Sequence, residues 1–212
     1  MKAVARAALS TGLALLVFSA IGTLLLSGTY DLTYDAITRS EQATKQALIA
    51  QTLPPASFDN NLVADARPLA PDALLGTRKP TLAYPARLKD KTVAVVLEVT
   101  APDGYAGEIR LLVGILADGR LGGVRVAQHK ETPGLGDYIE VQKSPWIRQF
   151  DGLSLASVAQ DQWRVRKDGG RFDYMAGATI TPRAIVKAVH NALRYFDRHK
   201  AELLMPATEV KP

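Results

Sequence analysis

The 212-residue sequence contains no cysteine. That excludes disulfides, thiolate zinc sites, cysteine-ligated iron–sulfur clusters and the usual haem attachment motif. Histidine is scarce: only His129, His190 and His199 occur, and they are scattered. His190 and His199 fall on one predicted helix at a spacing that does not place them on a common face, so no metal site is expected. Low-complexity tracts and internal repeats are absent. An excess of one charge is also missing, the net charge being +5. Lysines and arginines are spread along the chain without interleaved aromatics, which reads as a solvated surface and not a nucleic-acid groove.

What the chain does have begins at its amino terminus, "MKAVARAALSTGLALLVFSAIGTLLLSGTYDLTYD". After Lys2 and Arg6 no charge appears until Asp31. As a helix, residues 7–27 would rise about 31 Å, matching a hydrocarbon core of about 30 Å. Leu, Ile, Val and Phe dominate the span and outweigh its Ser, Thr and Gly for insertion. Tyr30 and Tyr34 stand where interfacial aromatics do. A cleaved signal peptide is the alternative, but its apolar region is usually about 7–15 residues and ends in a small-x-small site. This run is longer and lacks that site, so an uncleaved anchor in the bilayer through residues 7–27 is expected. No cysteine follows for lipoprotein processing. Positive residues precede the span and acidic ones follow it, which predicts a cytoplasmic amino terminus and, in a bacterium, a single-pass inner-membrane protein with a periplasmic carboxy-terminal domain.

The segment "DLTYDAITRSEQATKQALIAQTL" reads as helix and ends at Pro54 and Pro55. Prolines 68, 71, 80 and 85 then punctuate a loop-rich connector. The pattern changes to strands at "TVAVVLEVTA" and at "EIRLLVGILADGRLGGVRVAQH", where Asp118-Gly119 marks a hairpin. "QWRVRKDG" reads as a further short strand. From Ala184 the apolar residues Ile185, Ala188, Val189, Ala192, Leu193 and Phe196 recur at helical spacing, predicting a helix from Pro182 to Leu204. Strands followed by a terminal helix argue for an α+β fold: an anchor over residues 1–30, a connector over 31–90, a domain with a small antiparallel sheet over 91–205 and a tail over 206–212.

Two loops carry chemistry. "HKETPGLGDYI" follows a predicted strand directly, and Pro133-Gly134 suits the centre of a type II turn. With Gly136 as a second permissive position it would expose backbone N–H groups around Leu135, which suits the polar edge and flat face of a heteroaromatic ring. The alternative is an ordinary tight connection. The second loop, "FDYMAGATITPRAI", places Asp173, Gly177, Ala178 and Thr179 before a helix start. Thr181-Pro182 reads as the cap and first helical residue, leaving Thr179 free. A phosphate on the Thr179 hydroxyl could sit by the unpaired N–H groups of that helix start, with Arg183 in the first turn. The alternative is a plain loop with a solvent-facing threonine.

The pairing of "ETPGLG" with a downstream D-x-x-x-G-A-T, behind a single anchor and a "GYAGEI" segment, resembles the FMN-binding domain family found in the G subunit of the Rnf electron-transport complex. The C subunit of the sodium-pumping NADH:quinone reductase shares the domain. The resemblance implies FMN held through a phosphoester on Thr179, installed by a separate flavin transferase with FAD as donor. It assigns Asp173, Gly177 and Ala178 to the transferase recognition element. It assigns Glu131, Thr132, Pro133, Gly134, Leu135 and Gly136, with His129, to the surroundings of the flavin. The family pattern usually has Ser or Thr where this chain has Ala176.

The role implied is an electron-carrying subunit without an independent active site or catalytic residue. It would act among membrane and iron–sulfur subunits of a translocase that couples ferredoxin/NAD-type electron transfer to ion transport. A covalent flavin would supply the redox chemistry that no side-chain set here could hold. Two other readings stay open: the C subunit of the quinone reductase, and a membrane-anchored scaffold or binding module with no redox centre. Trp146 and Trp163 are expected in the core.

Overall fold

The computed structural model describes residues 2–89 and 91–205. The proposed tail over 206–212 lies outside the described residues. The chain divides into two compact units, Met1–Thr44 and Lys45–Pro212.

The first unit is wholly helical and belongs to α1, Lys2–Ala50. Among the described residues this is the one helix long and apolar enough to cross a membrane. Several of its hydroxyl side chains bond back within the helix: Thr23 donates to the Ser19 carbonyl at 2.8 Å and Thr29 to the Leu25 carbonyl at 2.7 Å. Such back-bonding satisfies a hydroxyl without water.

The second unit is built on a five-stranded antiparallel meander in the order β1-β2-β3-β4-β5. The strands are β1 (Arg67–Leu69), β2 (Thr81–Leu88), β3 (Lys91–Ala101), β4 (Ile109–Leu116) and β5 (Leu121–Gln128). The Asp118-Gly119 hairpin forms as read, with Gly119 at φ +91°. Both faces of the sheet are covered, which explains the continuous β-branched run of β3. Val95, Leu97 and Val99 share a core with α2 (Ile180–Leu203), whereas Ala94 and Val96 alternate to the other face, toward Ile49, Leu53 and Leu62. The helical stripe read from the sequence is the inner face of α2: Ile185, Val189, Leu193 and Phe196 are buried. Trp146 and Trp163 are core residues, Trp163 stacking on His190 with ring centroids 5.1 Å apart.

Two details differ from the sequence reading. Two strands, β1 and β2, come from the stretch read as connector. Pro68 and Pro85 are tolerated because β1 is an edge strand and spans only Arg67–Leu69, so that no strand faces β2 on that side beyond its first three residues. "QWRVRKDG" forms no strand. It makes two short 3₁₀ turns and a single bridge between Val165 and Phe172, because Gly169 at φ +82° ends the second turn and folds the chain back.

The segment after α1 lies directly on the sheet. A methyl group added at Gly114 would fall 2.3 Å from the Thr52 carbonyl oxygen, and at Gly122 2.6 Å from the same atom. Gly114→Ala is therefore expected to cost about 1–3 kcal/mol through overpacking. The loss should appear as a lower urea midpoint for the full chain in detergent. An unchanged midpoint would show that residues 52–53 are not seated there.

Candidate functional site

Three loops at one end of the second unit converge on a buried carboxylate. The first, residues 102–108 between β3 and β4, carries Gly104, Tyr105 and Ala106. The second follows β5. Its Thr132–Leu135 turn is closed by the Leu135 N–H donating to the Thr132 carbonyl at 3.1 Å, with Gly134 at φ +76°. Proline at the second position and glycine at the third give the type II geometry read from the sequence. The third, residues 172–179, contains a tight turn in which the Ala178 N–H donates to the Met175 carbonyl at 3.0 Å and Gly177 takes φ +86°.

Glu131 joins them. Its side chain is buried. Oε1 accepts the Ala106 N–H at 3.1 Å from the first loop, and Oε2 accepts the Thr181 hydroxyl at 2.5 Å from the start of α2. Glycine at 136 allows this approach, since a Cβ there would meet Oε2 at 3.0 Å; one at Gly104 would meet Oε1 at 3.0 Å. Thr181 is thus not the cap that its sequence suggests, because its hydroxyl is spent on a buried anion. The helix begins earlier than read, with Thr179 at the N-cap and no side-chain capping bond. Thr179 is half-exposed, and among the described residues its hydroxyl has no hydrogen-bond partner.

A cleft of about 120 Å³ opens between the loops, lined by Tyr105, Thr132, Leu135, Gly177, Thr179 and Ile180, with Glu131, Gly136, Ala178 and Thr181 beneath. Of the residues singled out in the sequence, Glu131, Thr132, Leu135, Gly136, Gly177, Ala178 and Thr179 meet here. Pro133, Gly134, His129 and Asp173 do not line it. His129 is a support: Nε2 lies 2.9 Å from Glu140 Oε1, and Nδ1 accepts the Glu131 N–H at 3.0 Å. The Gly134 N–H donates to Asp137 at 2.8 Å. Asp173 is exposed and lies 3.1 Å from the Arg166 guanidinium, while its backbone carbonyl accepts the Trp146 indole N–H at 2.8 Å. Arg183 does not turn to the helix start. It forms two 2.6 Å hydrogen bonds with Asp168, which hold that carboxyl below its usual range, and among the described residues no Lys or Arg lines the cleft.

Three contributors went unrecognised in the sequence. Tyr105 and Ile180 stand within quoted segments, "GYAGEI" and "FDYMAGATITPRAI", but nothing there gives them a role, because they reach the cleft only when the loops fold together. Tyr138 lies beneath, its hydroxyl donating to the Ala178 carbonyl and accepting the Met175 N–H, each at 3.4 Å. Burial pushes its phenol up to about 12, so the group stays neutral and serves both bonds.

With this geometry in place, comparison defines the class first. Residues 104–194 match the family model of the FMN-binding domain, and residues 1–52 match that of the RnfG N-terminal region. Relatives agree along nearly the whole chain. The G subunit of the ion-translocating oxidoreductase complex of Pseudomonas aeruginosa (strain UCBPP-PA14) is 48% identical over 201 residues, 95% of this chain and 94% of that protein. The proteins of the same name from Vibrio cholerae (serotype O1, strain O395) and Shewanella baltica (strain OS223) are 46% and 45% identical, covering 91% and 92% of this chain. The chain belongs to the family of G subunits of ion-translocating oxidoreductase complexes.

The two threonines should separate in stability measurements. Thr181→Val removes a donor from a buried carboxylate and is expected to cost about 1–3 kcal/mol, with Thr181→Ser restoring most of it. Thr179→Val should change the stability of the unmodified protein by no more than about 0.5 kcal/mol. Equal losses at the two positions would contradict this assignment.

Acid should loosen the second loop. Asp137 is held below the usual carboxylate range first by Lys143 and then by the Gly134 N–H; Glu140 is held low first by Lys143 and then by His129. Because the folded values lie below the unfolded ones, near 4, their stabilisation is complete above pH of about 4 and is lost as pH falls through the folded values. Lys143→Met is expected to move both carboxyl titrations back up, as read by carbon NMR; unmoved titrations would refute the linkage.

Proposed function

We propose that this chain carries FMN as a phosphoester on Thr179 Oγ1 and relays electrons as the flavin-bearing G subunit of an ion-translocating oxidoreductase complex. The observation that carries this reading is the convergence of the two motif loops on one cleft, with an unpartnered threonine hydroxyl on its wall.

The residues present fit the group. Clefts that enclose a ligand of that size run to about 300–1,000 Å³, whereas this one is smaller and open. It suits a ring lying in its mouth against Leu135, Tyr105 and Ile180, not one swallowed whole. A tether offsets such shallow binding by fixing a high effective concentration of the ring at the cleft. The start of α2 offers the Ile180 and Thr181 N–H groups to the phosphate, and the helix dipole favours its charge. Gly177 keeps the turn beside Thr179 free of side-chain bulk, and Ala176 is exposed, so the missing hydroxyl leaves no buried partner unsatisfied. FMN supplies one- and two-electron redox chemistry when bound.

Installation by a flavin transferase would join the Thr179 oxygen to the FMN phosphorus of FAD and release AMP, the hydroxyl proton leaving with it. The exposed Asp173 carboxylate suits recognition by that enzyme better than contact with the ring. In this reading residues 7–27 cross the inner membrane, the compact unit from Lys45 onward is periplasmic, and the partners are the other subunits of the complex.

The test is coexpression with a flavin transferase, followed by a denaturing gel viewed under ultraviolet light and intact-mass measurement. Wild type and Thr179→Ser should fluoresce and gain the mass of FMN less one water, whereas Thr179→Ala should do neither. An unlabelled wild-type chain would favour the scaffold alternative.

A further inference from the structure

Exposed apolar surface in the second unit is concentrated on the three loops of the cleft. Of the eight large apolar side chains exposed among its described residues, four sit on these loops, Tyr105, Leu135, Tyr174 and Met175, and a fifth, Ile180, opens α2 directly after the third loop. Single exposed apolar residues are ordinary, but a cluster around a concave site marks a surface that something covers. Tyr105 is the most exposed of the five, at 68%, and it lines the cleft. Tyr174 is also aromatic and exposed but does not line it.

The backbone beneath Tyr105 is fixed although the side chain is bare. The Ala106 N–H is bonded to Glu131, and Gly104 is packed so closely that a Cβ would fall 2.2 Å from the Gly107 carbonyl oxygen. Among the described residues the Tyr105 hydroxyl has no hydrogen-bond partner. A large flat side chain is thus held out on a well-packed loop at the cleft that contains the Thr179 hydroxyl, and among the described residues no aromatic or cationic group stacks on its face.

We propose that Tyr105 is the aromatic surface against which the ring of the Thr179-linked flavin packs, and that it sets the reduction potential of that flavin. The assignment rests on the proposed function above. An aromatic face carries partial negative charge and excludes water. A reduced flavin that gains negative charge is disfavoured against such a face, because it loses solvation and meets like charge. Tyr105 therefore holds the potential lower than an open cleft would. The phenol is also easily oxidised: on excitation it can pass an electron to a ring in contact and receive it back, so that the flavin is dimmed with no net chemistry.

The experiment uses the full chain in detergent, matured with the transferase, with flavin content fixed by intact mass. Fluorescence per bound flavin and midpoint potential are measured for wild type, Tyr105→Ala, Tyr105→Phe and Tyr174→Ala. Tyr105→Ala should brighten several-fold and shift the potential positive. Tyr105→Phe keeps the aromatic face but is a poor electron donor; it should brighten while retaining the wild-type potential. Tyr174→Ala should change neither. Unchanged brightness and potential in flavin-loaded Tyr105→Ala or, should that variant escape modification, unchanged brightness in Tyr105→Phe would overturn the assignment while leaving flavin attachment intact. A wild type whose mass shows no flavin would overturn the underlying reading and this assignment together.

Discussion

The site depends on one buried anion. A carboxylate sequestered from water is costly unless donors surround it, and Glu131 finds them on segments far apart in sequence, the loop before β4 and the first turn of α2. Removing either donor leaves one carboxylate oxygen without a partner, so each segment is constrained by the other. The glycines at 104 and 136 belong to the same arrangement, because side chains there would push the carboxylate away from its partners. The cleft opens directly above these bonds, with Glu131 and Thr181 in its floor.

That arrangement leaves Thr179 free. Two threonines stand two residues apart at the head of α2, and their environments divide the work. Thr181 is buried and holds α2 to the second loop, whereas Thr179 occupies the cap position with its oxygen unused. The missing capping bond forgoes about 1 kcal/mol of helix stability. The same omission makes the hydroxyl available for chemistry, and with no Lys or Arg on the cleft wall among the described residues, helix N–H groups are left to face an anion there.

Much of this was legible in the sequence, for identifiable reasons. The strands β3 to β5 and helix α2 announce themselves by β-branched runs, an Asp-Gly turn and a clean apolar stripe, all local signals. The Pro133-Gly134 turn is equally local. What the sequence hid was relational. Thr181-Pro182 has the local chemistry of a cap, but a tertiary partner 50 residues away in sequence claims its hydroxyl. Arg183 has the right position to meet a phosphate, but Asp168 takes it. Pro68 and Pro85 argue against strands until their edge positions are known. Tyr105 lies in the "GYAGEI" segment, but nothing in that segment gives the residue a role, which emerges only from what the folded loops bring beside it.

The order of the meander has a further consequence. Every strand pairs with its neighbour in sequence, so the sheet can assemble from local hairpins, whereas the loop proposed to accept the flavin lies beyond the last strand and leads straight into the terminal helix. If Thr179 carries flavin as proposed, loading would then be a report of completed folding: a chain with α2 undocked would offer a transferase a floppy peptide and stay colourless, so the yellow pool would consist of finished molecules.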